Sequence, residues 1–348
     1  MLSRFAPEPK FPADRPERIG ILLCNLGTPD EATPSAVRRY LAQFLSDDRV
    51  VEIPKLAWLP ILHGLILRTR PKESAAKYAT VWNEGGATGS PLLYFTQRQA
   101  SLLRGWLNET ENNHVLVAHA MRYGNPSIAS QLNALKAEGA SRILIVPLYP
   151  QYSGTTTASV CDAVYEWAKT QRHIPELRFV QRYHDHPGYI EALAQTVEKH
   201  WRENGRAQKL FLSFHGVPQR TYELGDPYHD ECYTTARLLA ARLGLEESQY
   251  QLTFQSRFGK AKWLEPYTEP TLVAQAQQGL ESVDIMCPGF TSDCIETLEE
   301  INQEAREAFM HAGGKDYRFI PCLNEHSTWI EALRDICQQH MQGWPVQA

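Results

Sequence analysis

Short, almost wholly apolar runs that end in glycine and proline recur along the chain. The clearest is LFLSFHGVP at residues 210–218, in which apolar residues lead to a histidine and Gly216 and Pro218 follow at once. A run of this kind is typical of a strand buried on both faces of a parallel sheet, and glycine and proline end it. The pattern therefore predicts a strand whose carboxyl end carries His215.

Segments with helical periodicity lie between these runs. Residues 326–340, HSTWIEALRDICQQH, place apolar residues on one face and put Thr328 and Glu331 at the spacing of a capping box. Strands that alternate with helices predict parallel sheets with right-handed crossovers, so the predicted fold class is α/β. The apolar face of this helix would comprise Trp329, Ile330, Leu333, Ile336 and Cys337.

The apolar runs form two series that resemble each other in the same order. The four pairs are ILLCNLGTP (21–29) with LFLSFHGVP (210–218), VAHAMRYGNP (117–126) with LTFQSRFGKA (252–261), ILIVPLYPQYSGTT (143–156) with VDIMCPGFTSDCIET (283–297), and LRFVQRYHDHPGYIEAL (177–193) with YRFIPCLNEHSTWIEAL (317–333). Within them Arg122 aligns with Arg257, and Pro147 with Pro288. Four pairs in order predict two similar α/β halves.

We expect two Rossmann-like halves, each a parallel sheet flanked by helices. At 348 residues the chain exceeds the usual size of one domain. We assign residues 18–175 plus 325–348 to the first half and residues 176–324 to the second. The first pair of repeats is spaced more widely than the others, which places an insertion in the first half, at about residues 45–95.

The insertion contains LAWLPILHGLIL at residues 56–67, the most membrane-like stretch of the chain. Its 12 residues are too few to span a bilayer, and Pro60 and His63 interrupt it. Three roles remain open: a core helix, an interfacial lip that touches a membrane, and a wall for a large apolar ligand.

Composition and charge narrow the class of function. The formal net charge is −5 and there is no dense stripe of lysine and arginine, which argues against nucleic acid as a partner. The seven cysteines include no CxxC pair and the N-terminus has no apolar signal segment, so we expect a reduced cytoplasmic chain. The glycine-rich EGGATGS (84–90) lacks the lysine of a P-loop, which argues against a nucleotide enzyme.

Ligands of open α/β sheets bind at the carboxyl ends of the strands, so residues that follow the apolar runs are candidate site residues. A lone histidine at such a place more often hydrogen-bonds a loop carbonyl than a ligand. Two facing sheets would form a cleft with aromatic and basic residues on one side and a histidine with carboxylates on the other. Such a cleft suits a flat, largely apolar ligand with metal chemistry at its middle.

Six motifs together resemble the ferrochelatase family: SFHGVP, GDPYHDEC, FQSRFGKAKWLEPYT, PGFTSDCIETLEEI, MRYGNP and PLYPQYSGTT. The resemblance runs from about residue 19 to about residue 340. It implies an enzyme that inserts Fe²⁺ into protoporphyrin IX with release of two protons, the terminal step of haem biosynthesis, in a porphyrin cleft between the two halves. A porphyrin-binding carrier without turnover and a coproporphyrin ferrochelatase are the alternatives.

The resemblance also assigns residues. The histidine of the family's S-x-H-x-x-P motif matches His215 and the glutamate of its D-x-x-E-T motif matches Glu296, which implies that these two form the metal and proton-transfer site. Other family motifs, together with neighbouring aromatic and polar positions, supply the porphyrin-binding candidates. These are Leu26, Arg122, Tyr123, Tyr149, Tyr152, Ser153, Trp263 and Phe290.

The chemistry of metal insertion explains these residue types. Two pyrrole protons are exchanged for one Fe²⁺, and an imidazole beside a carboxylate can take protons and ligate Fe²⁺ without the tight grip of thiolates. Asp293 and Glu296 have the spacing of a capping box, which would explain Glu296 alone. Glu300 and Glu304 follow at i+4 and i+8, so we expect a row of carboxylates with Glu296 as its inner end and the other two as an outer metal relay.

At several positions this sequence differs from other members of the family, and these differences predict which cofactor and which porphyrin the protein uses. Gly154 stands where these members have a cysteine ligand of a [2Fe–2S] cluster, and no cysteine-rich tail follows, so we expect the bacterial type without the cluster. Cys294 stands where they usually have a histidine. Leu26 stands where coproporphyrin-using relatives tend to have tyrosine, which favours protoporphyrin. Fe²⁺ would be a substrate, no cofactor would be required, and no obligate protein partner is expected beyond a peripheral membrane contact.

Overall fold

A computed structural model describes residue 5 and residues 7–10, 17–110, 114–257, 259 and 261–344, with the backbone alone for residues 108–110. The chain divides into two compact units. The first comprises Met1–Leu148, Gly154–Gln181 and Leu333–Ala348, and the second comprises Tyr149–Ser153 and Arg182–Ala332. The boundaries thus lie several residues beyond the divisions at 175 and 324 that were assigned from the sequence. In addition, Tyr149–Ser153, which the sequence analysis assigned to the first half, belongs to the second unit. Residues 345–348 of the assigned first half lie outside the described residues.

The first unit is built on a four-stranded parallel sheet with the order β2-β1-β3-β4. Its elements are β1 (Arg18–Gly27), α1 (Pro34–Phe44), α2 (Lys55–Ile61), α3 (Leu67–Val81), α4 (Pro91–Thr110), β2 (Val115–Tyr123), α5 (Ile128–Ala137), β3 (Ala140–Pro147), α6 (Ser159–Ala168) and β4 (Glu176–Phe179). The central strand β1 is buried along nearly its whole length because it has a neighbour on each side and helices pack on the sheet.

The second unit repeats this plan with the order β6-β5-β7-β8, again all parallel. Its elements are α7 (Pro187–Asn204), β5 (Lys209–His215), α8 (Gln219–Glu223), α9 (Tyr228–Arg242), β6 (Tyr250–Gln255), α10 (Thr268–Gln277), β7 (Ser282–Met286), α11 (Arg306–His311), β8 (Asp316–Phe319) and α12 (Ser327–Met341). The two matching strand orders confirm the predicted α/β class with two similar halves.

Two elements predicted from apolar patterning are confirmed. The strand in LFLSFHGVP is β5, whose residues 210–214 are all buried. The helix predicted over residues 326–340 is α12, and every residue of its predicted apolar face is buried. The predicted capping box is wrong, because Thr328 lies inside the first turn and donates its hydroxyl to Oε1 of Gln195 at 2.8 Å.

The strand registers show which residues of the two sheets are equivalent. In the first sheet Asn25 pairs with Met121, and in the second Phe214 pairs with Phe254. ILLCNLGTP and LFLSFHGVP, aligned as predicted, put Asn25 opposite Phe214. Met121 is therefore equivalent to Phe254, and each of these two residues donates its N–H to the carbonyl of a cis-proline downstream.

Two of the predicted alignments are displaced as a result. Arg122 is equivalent to Gln255, so its alignment with Arg257 is wrong by two residues. Pro147 is equivalent to Cys287 rather than Pro288, because β3 and β7 pair with β1 and β5 one residue out of the predicted register. The loop after β6 is longer than the loop after β2, and a sequence comparison cannot place such a length difference.

Among the residues that the structure describes, three helical segments are wound as π-helices: Leu62–Ile66, Gly154–Ala158 and Glu296–Ala305. Each runs directly into an α-helix, respectively α3, α6 and α11. π-helical turns pair residue i with i+5, are rare, and occur frequently at functional sites. The three segments begin in LAWLPILHGLIL, PLYPQYSGTT and PGFTSDCIETLEEI, which are three of the stretches that the sequence singled out.

The insertion has a buried and an exposed side. Trp58, Leu62 and Ile66 pack against α1 as part of a small apolar core. Leu56 and Leu65 are 95% and 60% exposed. LAWLPILHGLIL is therefore partly a core helix and partly an exposed apolar surface. Across the described ranges, no helix is long and apolar enough to cross a membrane.

Candidate functional site

His215 is the last residue of β5 and is half-buried. Its Nδ1 lies 2.6 Å from the carbonyl oxygen of Gly216, so Nδ1–H donates to this carbonyl. The bond expected of a structural histidine is thus present, but it uses only one ring nitrogen. It fixes the tautomer with the proton on Nδ1 and leaves the lone pair on Nε2, which has no hydrogen-bond partner among the residues described.

Two predicted aromatic residues lie beside this histidine. The ring centroids of His215 and Phe290 are 6.3 Å apart. Trp263 forms an antiparallel bridge with Pro218, and its ring packs so closely that a Cβ at residue 216 would lie 3.2 Å from it. The same Cβ would lie 2.6 Å from the carbonyl oxygen of Gln255, which is why residue 216 must be glycine.

The π-helix Glu296–Ala305 carries the predicted row of carboxylates. Glu296 and Glu300 are half-buried and Glu304 is exposed, so the row leads from the interior to solvent. Gln255 anchors this helix, since its Nε2 donates to the Glu296 carbonyl at 2.8 Å. Because Gln255 pairs with His215 across β5 and β6, this contact holds the row next to the histidine.

The capping box predicted for Asp293 and Glu296 is wrong. The Asp293 carboxylate accepts hydrogen bonds from the Thr297 hydroxyl at 3.1 Å, the Cys322 amide at 3.2 Å and the Asn324 side-chain amide at 2.6 Å. Asp293 therefore ties the loop before the π-helix to the loop after β8, and its carboxylate is not available as a cap.

Electrostatics link the ionisable groups of this site. Burial raises the pKa of Glu300 above its usual value, the hydrogen bonds from Ser256 and the nearby His215 oppose this, and the charge of Glu296 adds to it. Burial also raises the pKa of the Cys294 thiol, which hydrogen-bonds Glu296. Within the described ranges, no group of three or more His, Cys, Asp or Glu side chains is arranged to hold a resident metal ion.

The segment Tyr149–Ser153 is fastened to the start of α9. The Tyr152 amide donates to Oε2 of Glu231 at 2.7 Å, and the Ser153 hydroxyl donates to Oδ2 of Asp226 at 3.0 Å. Glu231 is buried, and its other oxygen accepts from Arg182 at 2.6 Å. The sequence analysis assigned no role to Glu231 or Asp226, although both lie in the motif GDPYHDEC.

In the first unit, Arg122 and Tyr123 hydrogen-bond the same two residues, Asp47 and Ser159. Nη2 of Arg122 and the hydroxyl of Tyr123 both donate to Oδ2 of Asp47, at 2.6 and 2.7 Å. Nε of Arg122 donates to the Ser159 hydroxyl at 2.7 Å. Tyr123 is fully buried, whereas Leu26, near the carboxyl end of β1, is half-exposed.

The fold and these strand-end residues define a class of protein. Two solved structures share the fold: SirB from Bacillus subtilis with Fe³⁺ (TM-score 0.53, 12% identity, 93% of this chain and 96% of that one) and the sirohydrochlorin chelatase SirB from Bacillus subtilis subspecies spizizenii in complex with cobalt (TM-score 0.53, 10% identity, 94% and 97%). At these identities the likeness shows the fold alone, which is that of the chelatases, with two Rossmann-like units.

Sequence comparison identifies the family. The sequence model of the ferrochelatase family matches residues 18–341. Curated ferrochelatases from Methylibium petroleiphilum and Polaromonas sp. are 64% and 63% identical to the chain, over 99% of its length and 94% of theirs. The chain belongs to the ferrochelatase family, whose members insert a metal ion into a porphyrin in haem biosynthesis. It is therefore an enzyme and not the porphyrin carrier that the sequence analysis left open.

Proposed function

We propose that this protein inserts Fe²⁺ into protoporphyrin IX, forms protohaem and releases two protons, as the terminal step of haem biosynthesis. The observation that carries this proposal is the geometry of His215. Its Nδ1 is held by the Gly216 carbonyl, its Nε2 is unengaged among the described residues, and the helix that bears Glu296 is anchored beside it. This arrangement supports His215 as base and metal ligand, with Glu296 on the neighbouring helix as its partner.

In this mechanism the two pyrrole N–H protons leave as one Fe²⁺ binds the four ring nitrogens, so charge balances. Nε2 of His215 accepts one of the two protons, and the Glu296 carboxylate, which also shares in ligating the metal, accepts the other. Trp263 and Phe290 provide apolar walls that favour a bent ring, which exposes the nitrogens and lowers the barrier. Glu300 and Glu304 form the outer relay, whose oxygen ligands hold the hydrated substrate ion loosely.

The residues proposed to bind porphyrin are considered separately for each unit. Tyr149, Tyr152 and Ser153 supply aromatic and polar contacts from a segment that α9 holds in place. In the first unit, the proposed porphyrin contacts are Leu26, Arg122 and Tyr123. Asp47 orients the latter two. An apolar Leu26 supports protoporphyrin, whose vinyl groups are apolar, over coproporphyrin, which carries additional carboxylates.

The exposed apolar side of the insertion is proposed as a lip at the porphyrin entrance and as a peripheral membrane contact. Leu56, Ile61 and Leu65 are exposed on it, and the exposed Arg68 and Arg70 follow in the next turn. Apolar side chains beside basic ones suit the surface of a membrane with anionic lipids.

No cofactor is proposed beyond the substrates, and we place the enzyme in the cytoplasm without an obligate protein partner. All seven cysteines are free thiols, as suits a reducing compartment. Gly154, at the position where animal members have a cluster ligand, supports the absence of an iron–sulfur cluster.

The substrate assignment is tested by the loss of free-porphyrin fluorescence after anaerobic addition of Fe²⁺ or Zn²⁺. Protoporphyrin IX and coproporphyrin III are compared under identical conditions. We expect kcat/KM to be at least about tenfold higher for protoporphyrin, the size of effect that one polar–apolar mismatch in a pocket produces. A higher kcat/KM for coproporphyrin would reverse the assignment of the porphyrin.

The role of His215 is tested by His215→Ala. Loss of the base and ligand should lower kcat at least about 100-fold, while the Kd for protoporphyrin, measured by fluorescence quenching, should stay nearly unchanged. His311→Ala, which removes an exposed histidine in the last turn of α11, is the control and should retain turnover. Near-normal turnover in His215→Ala would show that this histidine is only structural.

A further inference from the structure

The carboxylate of Glu300 is held by two consecutive residues at the end of β6. The backbone N–H of Ser256 donates to Oε1 at 2.6 Å, and the Ser256 hydroxyl donates to Oε2. Nε2 of Gln255 makes a longer contact of 3.4 Å with the same Oε2. Three donors thus face one carboxylate, on a helix that is anchored next to His215.

The local backbone makes this arrangement specific. Ser256 adopts φ +65°, in the left-handed region, which is unfavourable for a residue other than glycine. In this conformation one residue presents both its N–H and its hydroxyl to Glu300. Gln255 is oriented in turn, because its Oε1 accepts the Ser213 hydroxyl at 2.9 Å and its amide nitrogen is thereby directed at the π-helix.

Counting acceptor positions shows what the contacts leave available. An ionised carboxylate offers about four lone-pair positions, two on each oxygen. The Ser256 hydroxyl and Gln255 take both positions on Oε2 of Glu300, and the Ser256 amide takes one on Oε1. One position remains, on Oε1, so Glu300 can bind a cation through a single oxygen.

We propose that Ser256 is a positioning residue that makes Glu300 a one-oxygen ligand for the incoming metal ion. A carboxylate with both oxygens available binds divalent cations in the bidentate mode and holds them more tightly. A carboxylate that binds through one oxygen releases the ion more readily toward Glu296 and His215. This proposal rests on the proposed role of Glu300 in metal delivery.

The equivalent position in the first unit provides an internal comparison. Arg122 and Tyr123, which are equivalent to Gln255 and Ser256, also hold a carboxylate, that of Asp47. There the donors include a guanidinium, which neutralises the charge of Asp47. In the second unit all donors are neutral, so the contacts hold Glu300 and leave its charge for a cation.

The test is Ser256→Gly, which keeps the left-handed backbone and the N–H donor and removes only the hydroxyl. Removal of the hydroxyl frees one position on Oε2 beside the open position on Oε1, so the carboxylate is able to bind in the bidentate mode. The Kd for Co²⁺, measured by calorimetry without porphyrin, should then fall at least about threefold, the net value of roughly one hydrogen bond. The KM for Zn²⁺ and kcat should fall together by a similar factor, because the ion binds more tightly and leaves more slowly. The KM for protoporphyrin should not change.

Ser256→Ala is the second variant, because it removes the same hydroxyl but keeps the strained left-handed backbone of a residue with a Cβ, which Ser256→Gly relieves. It should show the same fall in the Kd for Co²⁺ as Ser256→Gly but a lower melting temperature than that variant, which separates the ligand effect from stability. An unchanged or raised Kd for Co²⁺ in both folded variants would overturn the proposal.

Glu300→Gln separates this proposal from the proposed function on which it rests. In the Glu300→Gln background, Ser256→Gly should have no further effect on the Kd for Co²⁺, since the oxygen it releases no longer belongs to a carboxylate. If Glu300→Gln raises the KM for Zn²⁺ but Ser256→Gly changes nothing, positioning by Ser256 is wrong and metal delivery through Glu300 stands. If Glu300→Gln leaves metal kinetics unchanged, both are wrong.

Discussion

At the scale of single residues, hydrogen-bond partners decide what a side chain is able to do. His215 uses one ring nitrogen on its own loop and keeps the other for chemistry. Arg122 and Tyr123, which are proposed to bind porphyrin, both donate hydrogen bonds to Asp47, so Asp47 sets their orientation. The Asp47 side chain is only 8% exposed, so its charge depends on these partners. Asp47 is therefore a residue whose change should propagate to both.

The first prediction of stability concerns Asp47→Asn. Burial is the largest influence on the pKa of Asp47 and raises it, but hydrogen bonds from Ser159, Tyr123 and a backbone amide, with the charge of Arg122, outweigh burial and lower the pKa. A lowered pKa in the folded state stabilises the fold above the unfolded pKa of about 3.9, and this stability is lost as the pH falls through the folded value. Asp47→Asn should therefore lower the free energy of unfolding by about 3 kcal/mol at neutral pH and by less in acid.

Urea unfolding of both proteins at about pH 7 and at about pH 2.5, below the unfolded pKa, measures this difference. The neighbouring Asp48→Asn is the control, because Asp48 is exposed and pairs with the exposed Lys55. It should change the free energy of unfolding by less than about 0.5 kcal/mol. An equal loss for Asp47→Asn at both pH values would contradict the assignment of charge to this network.

At the scale of elements, π-helical winding occurs in segments where the sequence predicted functional residues. In the ten-residue π segment Glu296–Ala305, Gln255 holds the backbone carbonyl of Glu296 and Ser256 holds the carboxylate of Glu300. Another, Leu62–Ile66, lies in the insertion and separates a buried side chain from an exposed one only three positions away. Neighbouring leucines of one helix should therefore respond to substitution in opposite ways.

The matched pair Leu62→Ser and Leu65→Ser tests the insertion. Leu62 is fully buried in the small core, so its loss should cost about 3 kcal/mol of unfolding free energy. Leu65 is 60% exposed, so Leu65→Ser should alter stability by no more than about 0.5 kcal/mol. It should instead raise the KM for protoporphyrin, because the proposed lip loses apolar contact area.

Urea unfolding and steady-state insertion of Zn²⁺ into protoporphyrin distinguish the two variants. Leu62→Ser serves as the control for stability. If Leu65→Ser leaves the KM for protoporphyrin unchanged, the exposed side of the insertion does not form part of the porphyrin entrance.

At the scale of the whole molecule, the cysteines of both units are alike in being shielded from solvent. Six of the seven are buried, and the seventh, Cys161, is half-buried. Burial raises the pKa of every one of them, that of Cys161 to about 11. Thiolates, not thiols, ligate iron–sulfur clusters, so this environment disfavours a cluster in either unit.

We therefore predict that the protein, purified without oxygen, contains no stoichiometric acid-labile sulfide and no visible cluster absorption. Gly154→Cys restores the cysteine that animal members have at this position and is the matched comparison. It should not by itself create a cluster, because a single added thiol does not supply four ligands. Stoichiometric sulfide in the unaltered protein would contradict the prediction.

The sequence was sufficient for what depends on local periodicity. An apolar run of strand length predicted β5 and the place of His215 at its end, and a 3.6-residue period predicted α12 and its buried face. These predictions hold because burial of apolar side chains is the dominant driving force and leaves its period in the sequence. The order of the repeats predicted two sheets of the same plan for the same reason.

The sequence was not sufficient for contacts between distant segments. Ser256 with Glu300, Arg122 with Asp47, and the Tyr152 amide with Glu231 are each separated by more than 40 residues in the chain. A single hydrogen bond contributes only about 1 kcal/mol and recurs with no period, so it leaves no pattern in one sequence. The two-residue displacement of Arg122 from its predicted alignment has a related cause, since strand register depends on pairing across the sheet and on loop length.

The amino-acid sequence by itself thus determined the element types, their buried faces, the twofold plan and the family, all of which rest on residue type and spacing along the chain. Only the tertiary structure decided which oxygen of Glu300 remains open, which nitrogen of His215 is unengaged, and which leucines of the insertion face solvent. The physical reason is that hydrophobic burial is nearly non-directional and is encoded by composition and period, whereas a hydrogen bond requires two particular atoms within about 3 Å of each other. Folding brings such atoms together from separate parts of the chain.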